Sequence, residues 1–203
     1  MYGLPQTTEV RKQLPKKAIY AKFDLKPSQR ESFDADIARI DIVAVISPST
    51  VPAIAEGKEV KEIYLLALQM KRKEYDSKNI VLLTKLIPQK MVLALHYNDE
   101  VQFAVHHTKL ITSEWQLLTS NSSFLIIKGL TLDTVWDNIV KSIGQIDVEN
   151  GNTLTEQIAT NDQREKLLAQ IATLERKMAI EKQPRRKREY FEQIKQLKSQ
   201  KWL

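Results

Sequence analysis

The stretch EIYLLALQMKRKEY, residues 62–75, joins a continuous apolar run to a basic and polar one. Between Ile63 and Leu68 both odd and even positions are apolar, so an extended strand here would bury both of its faces. Such a strand belongs in the middle of a sheet, because a half-exposed strand alternates apolar and polar residues. The stretch therefore predicts a central strand that turns basic around the triplet Gln69-Met70-Lys71.

The segments before this strand carry both helical and extended patterns. A helix is predicted in SQRESFDADIARI, residues 28–40, where Ser28 is a candidate N-cap and Phe33, Ile37 and Ile40 share one helical face. A strand in the β-branched run IDIVAVIS follows. KKAIYAKF, residues 16–23, is a candidate edge strand within a mostly extended N-terminal arm.

Further elements surround the central strand on both sides. Two extended runs are predicted to meet at a turn that uses a positive φ at Gly57, and SKNIVLLTKLI is predicted to be a helix capped by Ser77. KMVLALHY and VQFAVHHTKL predict a hairpin, SSFLIIKG a strand, and TLDTVWDNIVKSIG a helix that starts at Thr131. This order predicts a mixed α/β fold with a central mixed sheet and flanking helices.

The pattern changes after residue 150. Residues 1–150 are predicted to form the mixed α/β body, and residues 151–203 a basic helical or coiled-coil tail that is interrupted at Pro184. The tail could fold back as a helical hairpin, or its two helices could dock on a partner or on a second copy. The predicted seam of apolar residues consists of Leu167, Ile171, Leu174, Met178, Tyr190, Ile194 and Leu197.

Composition excludes several classes of protein. The 203 residues include 42% hydrophobic and 28% charged residues, and no apolar run is long enough to cross a bilayer. There is no cysteine and no apolar leader in the first residues, so the cytoplasm is the expected location. The five glycines fit neither a P-loop nor a dinucleotide-binding motif. We expect no cofactor and no bound metal.

Charge is distributed unevenly along the chain. The net charge is +6, and residues 155–203 hold 12 Lys and Arg against 7 Asp and Glu, so most of the excess lies in the tail. The positive residues concentrate in KQPRRKRE, where they could contact a phosphate backbone or an acidic protein surface, or could simply be a solvated helix junction. They are Lys182, Arg185, Arg186, Lys187 and Arg188.

The triplet at the end of the central strand is the best enzymatic candidate. Nucleases of the PD-(D/E)xK type place an Asp on one strand and Glu-x-Lys on its neighbour, which together hold Mg²⁺ and orient water. Gln69 and Lys71 have the spacing to share a face, but Ala53 stands where the Asp is expected. Glu56, Glu59 and Asp41 could in principle substitute, although the first two belong to the predicted turn and Asp41 to another element.

Several stretches resemble the domain-of-unknown-function 4391 family. They are QLPKKAIY, ADIARIDIVAVISPSTV, the region from EIYLLALQMK to AVHHTKL, and LERKMAIEKQPRRKREYFEQIKQLK. Family members tend to be encoded near helicases, DNA methyltransferases and restriction-type enzymes, so the resemblance implies an accessory role in DNA modification or phage defence. Members usually end the central strand with a Glu-x-Lys-like sequence, whereas this chain has Gln69-Met70-Lys71, which disfavours catalysis there.

The leading hypothesis is therefore a non-catalytic accessory subunit. Its basic C-terminal helices would dock a protein partner of the helicase or methyltransferase type, DNA or RNA, and association of two copies through these helices stays open. No membrane is expected among its partners. The alternative hypothesis is a degenerate or divergent PD-(D/E)xK-like nuclease that uses Gln69 and Lys71.

Overall fold

The computed structural model describes residues 2–119 and 124–200. The chain divides into two compact units, residues 1–147 and residues 148–203. The first unit holds a seven-stranded sheet and four α-helices, and the second holds two long helices. The mixed α/β fold with C-terminal helices that the sequence predicts is confirmed.

The sheet is mixed and has its most apolar strand in the interior. Six strands follow the order β1-β2-β3-β4-β5-β6, and β7 pairs with β5. The pair of β3 and β4 is parallel and every other pair is antiparallel. The strands are β1 (Glu9–Gln13), β2 (Ile37–Ile46), β3 (Ile63–Met70), β4 (Lys90–Tyr97), β5 (Glu100–His106), β6 (Leu110–Thr112) and β7 (Gln116–Leu117).

Helices pack against the sheet, and apolar side chains of both form the core. They are α1 (Lys16–Phe23), α2 (Pro27–Asp36), α3 (Ser77–Thr84) and α4 (Leu132–Gly144). Phe33 of α2 and Leu83 of α3 are fully buried in one apolar cluster with Leu68 of β3 and Leu93 of β4. Helix α4 contacts β5 and β6, and its Thr131 cap accepts a hydrogen bond from the backbone of Thr134, as the sequence predicts.

The predicted edge strand KKAIYAKF is wrong, because these residues form helix α1. Pro15 occupies the N-cap position, and Ile19 and Phe23 lie one helical turn apart, with Ile19 completely buried. The spacing of four between these apolar residues matches a helix better than an alternating strand. The strand at this edge of the sheet is instead β1, directly upstream.

The helix predicted over residues 28–40 is too long. Helix α2 ends at Asp36, and Ile37 and Ile40 belong to β2, where they pair with Met70 and Leu68. A β-bulge between Ile37 and Arg39 allows both isoleucines to face the same side of the sheet at a spacing of three. That spacing imitates a helical face, which explains the error.

Two other extended runs are not strands. Residues 51–60 form an irregular connection that is held to the start of α4 by a bridge between Ala55 and Thr131 and by the backbone N–H groups of residues 58–60, which donate to the Asp133 carboxylate. Gly57 does not adopt a positive φ, contrary to the prediction. Residues 124–129 of SSFLIIKG are likewise not a strand, and the first two residues of that stretch lie outside the described residues. Asp76, not Ser77, caps α3.

The second unit is a helical hairpin of α5 (Leu154–Ile180) and α6 (Pro184–Gln200). Thr153 and Glu156 form a capping box at the start of α5. The two helices pack against each other, with Ile171 and Ile194 buried and Lys198 paired with Glu175 at 2.9 Å. The other predicted seam residues, Leu167, Leu174, Met178, Tyr190 and Leu197, are partly buried.

Across the described ranges, none of the helices combines the length and apolar character that crossing a membrane requires.

Candidate functional site

The two candidate catalytic residues lie on either side of the last residue of strand β3. Gln69 is exposed and lies in register with Arg39 of β2 and His96 of β4. Lys71 follows the last residue of the strand, and its backbone N–H donates to the carbonyl of Asp36 at 2.8 Å. Lys71 therefore sits at the exposed end of the strand, where its ammonium lies within electrostatic range of Asp34.

Asp34 already has closer partners than Lys71. Its carboxylate accepts hydrogen bonds from Lys16 Nζ and from the Tyr20 hydroxyl, both at 2.6 Å. Partial burial tends to raise the pKa of Asp34, but Lys16, Tyr20 and, more weakly, Lys71 bring that pKa below its ordinary value. Lys71 is thus the weaker of two cations, with Lys16, that stabilise this carboxylate.

A carboxylate does lie beside Gln69, on the neighbouring strand. Asp41 of β2 pairs with Ala67, so it occupies the same face as Gln69 in a diagonal position, typically about 7–8 Å away. Arg39 engages Asp41, with Nε 2.7 Å from one carboxylate oxygen and Nη2 2.9 Å from the other. Asp41 is recognisable in the sequence as a candidate acid, but its position beside Gln69 is not, because the bulge that sets the register leaves no clear sequence signal.

The other two carboxylates named as possible substitutes, Glu56 and Glu59, do not lie on the strands beside Gln69. Glu56 lies in the connection before β3, where its carboxylate is 3.2 Å from Lys61 Nζ. Among the described residues, no group of three or more His, Cys, Asp or Glu side chains is arranged to hold a metal ion. The surroundings of Gln69 therefore contain an ion pair and a histidine.

His96 is held in place by the N-terminal segment. The Tyr2 hydroxyl is hydrogen-bonded to His96 Nε2, and the Tyr2 ring also packs edge-on against Phe103. Burial lowers the pKa of His96 and raises the pKa of Tyr2, so a neutral imidazole that accepts from a phenol is favoured. Tyr2 adopts a positive φ of 53° and Gly3 one of 87°, a bend that no sequence motif announced.

An open cavity lies along β1 and β2 next to this cluster. It has a volume of about 620 Å³, and the ion pair of Arg39 and Asp41 contributes to its wall. Most of the remaining lining comes from the edge strand and from Ile42, Val43 and Ala67. Both charge signs are represented in the wall, so the lining favours no single sign of ligand.

The basic residues gather at the turn of the helical hairpin. Lys182 precedes Pro184, the first residue of α6. Three cations follow in the first turn and Arg188 comes directly after it; all five side chains are exposed. Arg185 Nε lies 3.4 Å from the Glu189 carboxylate, with Arg185 93% exposed, so this contact is weak. We call Lys182, Arg185, Arg186, Lys187 and Arg188 the basic turn.

The charges of the basic turn oppose the helix that carries four of them. A helix N-terminus has a partial positive charge and is stabilised by acidic residues, yet the first turn of α6, residues 184–187, contains none. Glu181 lies before the turn, and its pKa is lowered by the backbone N–H of Gln183 and, among smaller effects, by Arg186. Helix stability therefore does not account for the basic turn.

Comparison with protein-family models matches residues 2–200 to a family described as Domain of unknown function (DUF4391). The chain belongs to the DUF4391 family. The match spans the described residues of both units, and the resemblance predicted from the sequence is confirmed. No curated protein and no solved structure matches this DUF4391 chain.

Proposed function

We propose that this DUF4391 protein is a non-catalytic accessory subunit that binds nucleic acid through the basic turn. The observation that carries the proposal is the placement of four exposed cations at the N-terminal end of α6, three of them in its first turn, where positive charge disfavours the helix. A bound phosphate would offset the repulsion between these cations and the helix N-terminus, because it is attracted both by the side chains and by the positive end of the helix.

The residue types favour phosphate as the bound group. Three of the five cations are arginines, whose planar guanidinium can donate two parallel hydrogen bonds to a phosphate. Consecutive helical residues point in directions about 100° apart, so the turn presents charge around its circumference. Such an arrangement suits a phosphate backbone that passes over the end of the hairpin.

The proposal is tested by measuring the affinity of the intact chain for a duplex and for a single strand of equal length over a range of salt concentrations. Each neutralised phosphate contributes about −0.9 to the slope of log affinity against log salt for duplex DNA, so five cations predict a slope of about −3 to −4.5. Replacing Arg185, Arg186, Lys187 and Arg188 with Gln should weaken binding at least about tenfold and flatten the slope.

A matched variant removes the same number of positive charges elsewhere. Arg11, Lys12, Lys17 and Lys26 are exposed residues of the first unit, and their replacement with Gln should leave most of the affinity and slope intact. Equal losses in the two variants would mean that only net charge matters, which contradicts the proposal. Binding to an acidic protein but to neither nucleic acid would assign the basic turn to a protein partner instead.

A divergent metal-dependent nuclease is the second candidate. It is favoured by the succession of antiparallel β2 and β3, helix α3 and parallel β4, with Asp41 and Gln69 on one face of the sheet. This candidate predicts cleavage of DNA or RNA that depends on Mg²⁺ or Mn²⁺ and is lost in Lys71→Ala but retained in Lys78→Ala. Absence of cleavage on every nucleic acid form would eliminate it.

A further inference from the structure

The helical hairpin carries a second surface that the basic turn does not explain. A groove with a volume of about 420 Å³ runs along its side, lined by Ala169, Gln170, Thr173, Leu174 and Leu197. The first four residues belong to α5 and the last to α6, so the groove follows the line where the two helices meet. Leu174 and Leu197 are only partly buried, which leaves apolar surface open to solvent.

The groove exists because the side chains of α5 are short at this position. Ala169 and Thr173 lie one helical turn apart, so two small side chains are neighbours on this face of the helix and leave space above it. The Thr173 hydroxyl donates to the carbonyl of Ala169 at 2.8 Å, so it already has a hydrogen-bond partner within α5. An apolar side chain from another molecule can therefore enter without leaving this hydroxyl unpaired.

The charged residues around the groove carry a small positive excess. Lys166 and Glu165 lie one turn before Ala169, and Arg176 and Lys177 lie one turn after Thr173. Lys166 Nζ forms an ion pair with the Asp162 carboxylate at 2.7 Å, whereas the side chains of Arg176 and Lys177 are exposed. An apolar floor with two exposed cations at one end complements a helix that has an apolar stripe bordered by Asp or Glu.

Two other occupants fit this surface less well. A second copy of the chain would bring the same cations to the interface, and like charges placed opposite each other across an interface are unfavourable. Nucleic acid would set a charged backbone against leucine and alanine side chains, where it gains few hydrogen bonds. Charge and apolar surface together therefore favour a protein segment that is both acidic and amphipathic.

We propose that this groove binds an acidic amphipathic helix of a partner protein. The site is separate from the basic turn, so the proposal does not depend on nucleic-acid binding. Both sites on one hairpin would let the protein hold a protein partner and a nucleic acid at the same time.

The test uses a synthetic helical peptide of about 20 residues, long enough for five turns, with leucines along one stripe and glutamates beside it. Its binding to the full chain is measured by fluorescence anisotropy, and a peptide with lysine in place of every glutamate serves as the charge control. The acidic peptide is expected to bind and the basic one to bind at least about tenfold more weakly.

Two variants of α5 localise the binding. Ala169→Arg places a long side chain in the groove, whereas Ala172→Arg makes the same change at an exposed alanine that does not line it. Arginine and alanine are both good helix formers, so both variants should remain folded. The proposal predicts at least about tenfold weaker peptide binding for Ala169→Arg and less than about twofold change for Ala172→Arg.

Three outcomes would overturn the proposal. They are no binding of the acidic peptide, equal effects of the two variants, and a chain that is dimeric in solution and becomes monomeric only in Ala169→Arg. The last result would assign the groove to a second copy. Nucleic-acid affinity is measured on the same two variants and should not change, because neither variant alters a residue of the basic turn. A failure of the groove proposal can therefore be distinguished from a failure of nucleic-acid binding by the basic turn.

Discussion

The carboxylate of Asp36, completely buried, accepts a hydrogen bond from Arg72 Nε at 2.6 Å and so joins the end of α2 to the loop after β3. Its second oxygen accepts from the backbone N–H of Asp76 at 2.9 Å and from Asn79 Nδ2 at 2.7 Å. One side chain thus fixes the loop that follows Gln69 and Lys71 and the start of α3.

Asp36→Ala should lower the free energy of unfolding by about 3–5 kcal/mol, because it leaves buried donors and a guanidinium without their acceptor. Urea denaturation measures this loss. Asp41→Ala is the control, since it breaks the exposed pair with Arg39 and should cost about 1 kcal/mol or less. Similar losses in the two variants would show that Asp36 is not the structural link between α2 and α3.

Much of the fold could be predicted from local patterns. The continuous apolar run predicts that β3 lies inside the sheet, and it does lie between β2 and β4. The hairpin of β4 and β5 and the helix α4 have strong local signals, namely a short turn between apolar strands and a cap at Thr131. Each of these elements is specified by residues that are close in sequence.

The failures come from interactions between distant residues. The bulge in β2 and the packing of Gly57 against Asp133 depend on chain segments far apart in sequence, so no window of residues reveals them. The same holds for the candidate site: the spacing of Gln69 and Lys71 is visible in the sequence, but the register that sets Arg39, Asp41 and His96 beside Gln69 is not. The basic turn needs no register, which is why the sequence alone identifies it.

Gly57 should not tolerate even an added methyl group. A Cβ on Gly57 would lie 2.6 Å from Asp133 Cγ and 2.7 Å from the carbonyl oxygen of Val60, and the second contact involves backbone that cannot rotate away. Gly57→Ala should therefore lower the melting temperature, with a cost of about 1–3 kcal/mol. If the variant melts like the parent chain, the connection before β3 is looser than the contacts with Asp133 imply.

Asp133 should make stability sensitive to acid. Partial burial tends to raise its pKa, but the backbone N–H groups of Val60, Lys58 and Glu59 donate to the carboxylate and lower the pKa below its ordinary value. The unfolded chain then binds the proton first, so this stabilisation is complete above about pH 4 and is lost as pH falls through the lower folded pKa.

Asp133→Asn removes the charge that accepts these three bonds. It should cost about 1–2 kcal/mol at pH 7, where hydrogen bonds to a charged acceptor are strongest. The difference in free energy of unfolding between variant and parent should become smaller as the pH is lowered below 4. Denaturation at several pH values measures this difference. A gap that stays constant with pH would mean that the charge of Asp133 plays no part.

His96 should add a second pH dependence at milder acidity. Burial lowers its folded pKa, so between that value and about 6.5 the unfolded chain binds more protons than the folded one. Stability should therefore fall as the pH drops below about 6.5. His96→Gln should reduce the fall between pH 8 and pH 5, although His106 and His107, whose pKa values burial also lowers, keep part of it. An unchanged pH profile in the variant would contradict this role of His96.

The basic turn should show a conflict between helix stability and binding. Arg186→Glu replaces a cation in the first turn of α6 with an anion, which the helix N-terminus attracts, so helix stability should rise by about 0.5–1.5 kcal/mol at low salt. The same change should weaken nucleic-acid binding, because one phosphate contact becomes a repulsion. Thermal unfolding followed by circular dichroism and a binding titration measure the two effects. Lys195→Glu, in the middle of α6, alters net charge equally and should bring no gain in stability. A parallel loss of stability and binding in Arg186→Glu would mean that these cations support the hairpin itself, and the proposed role of the basic turn would then fail.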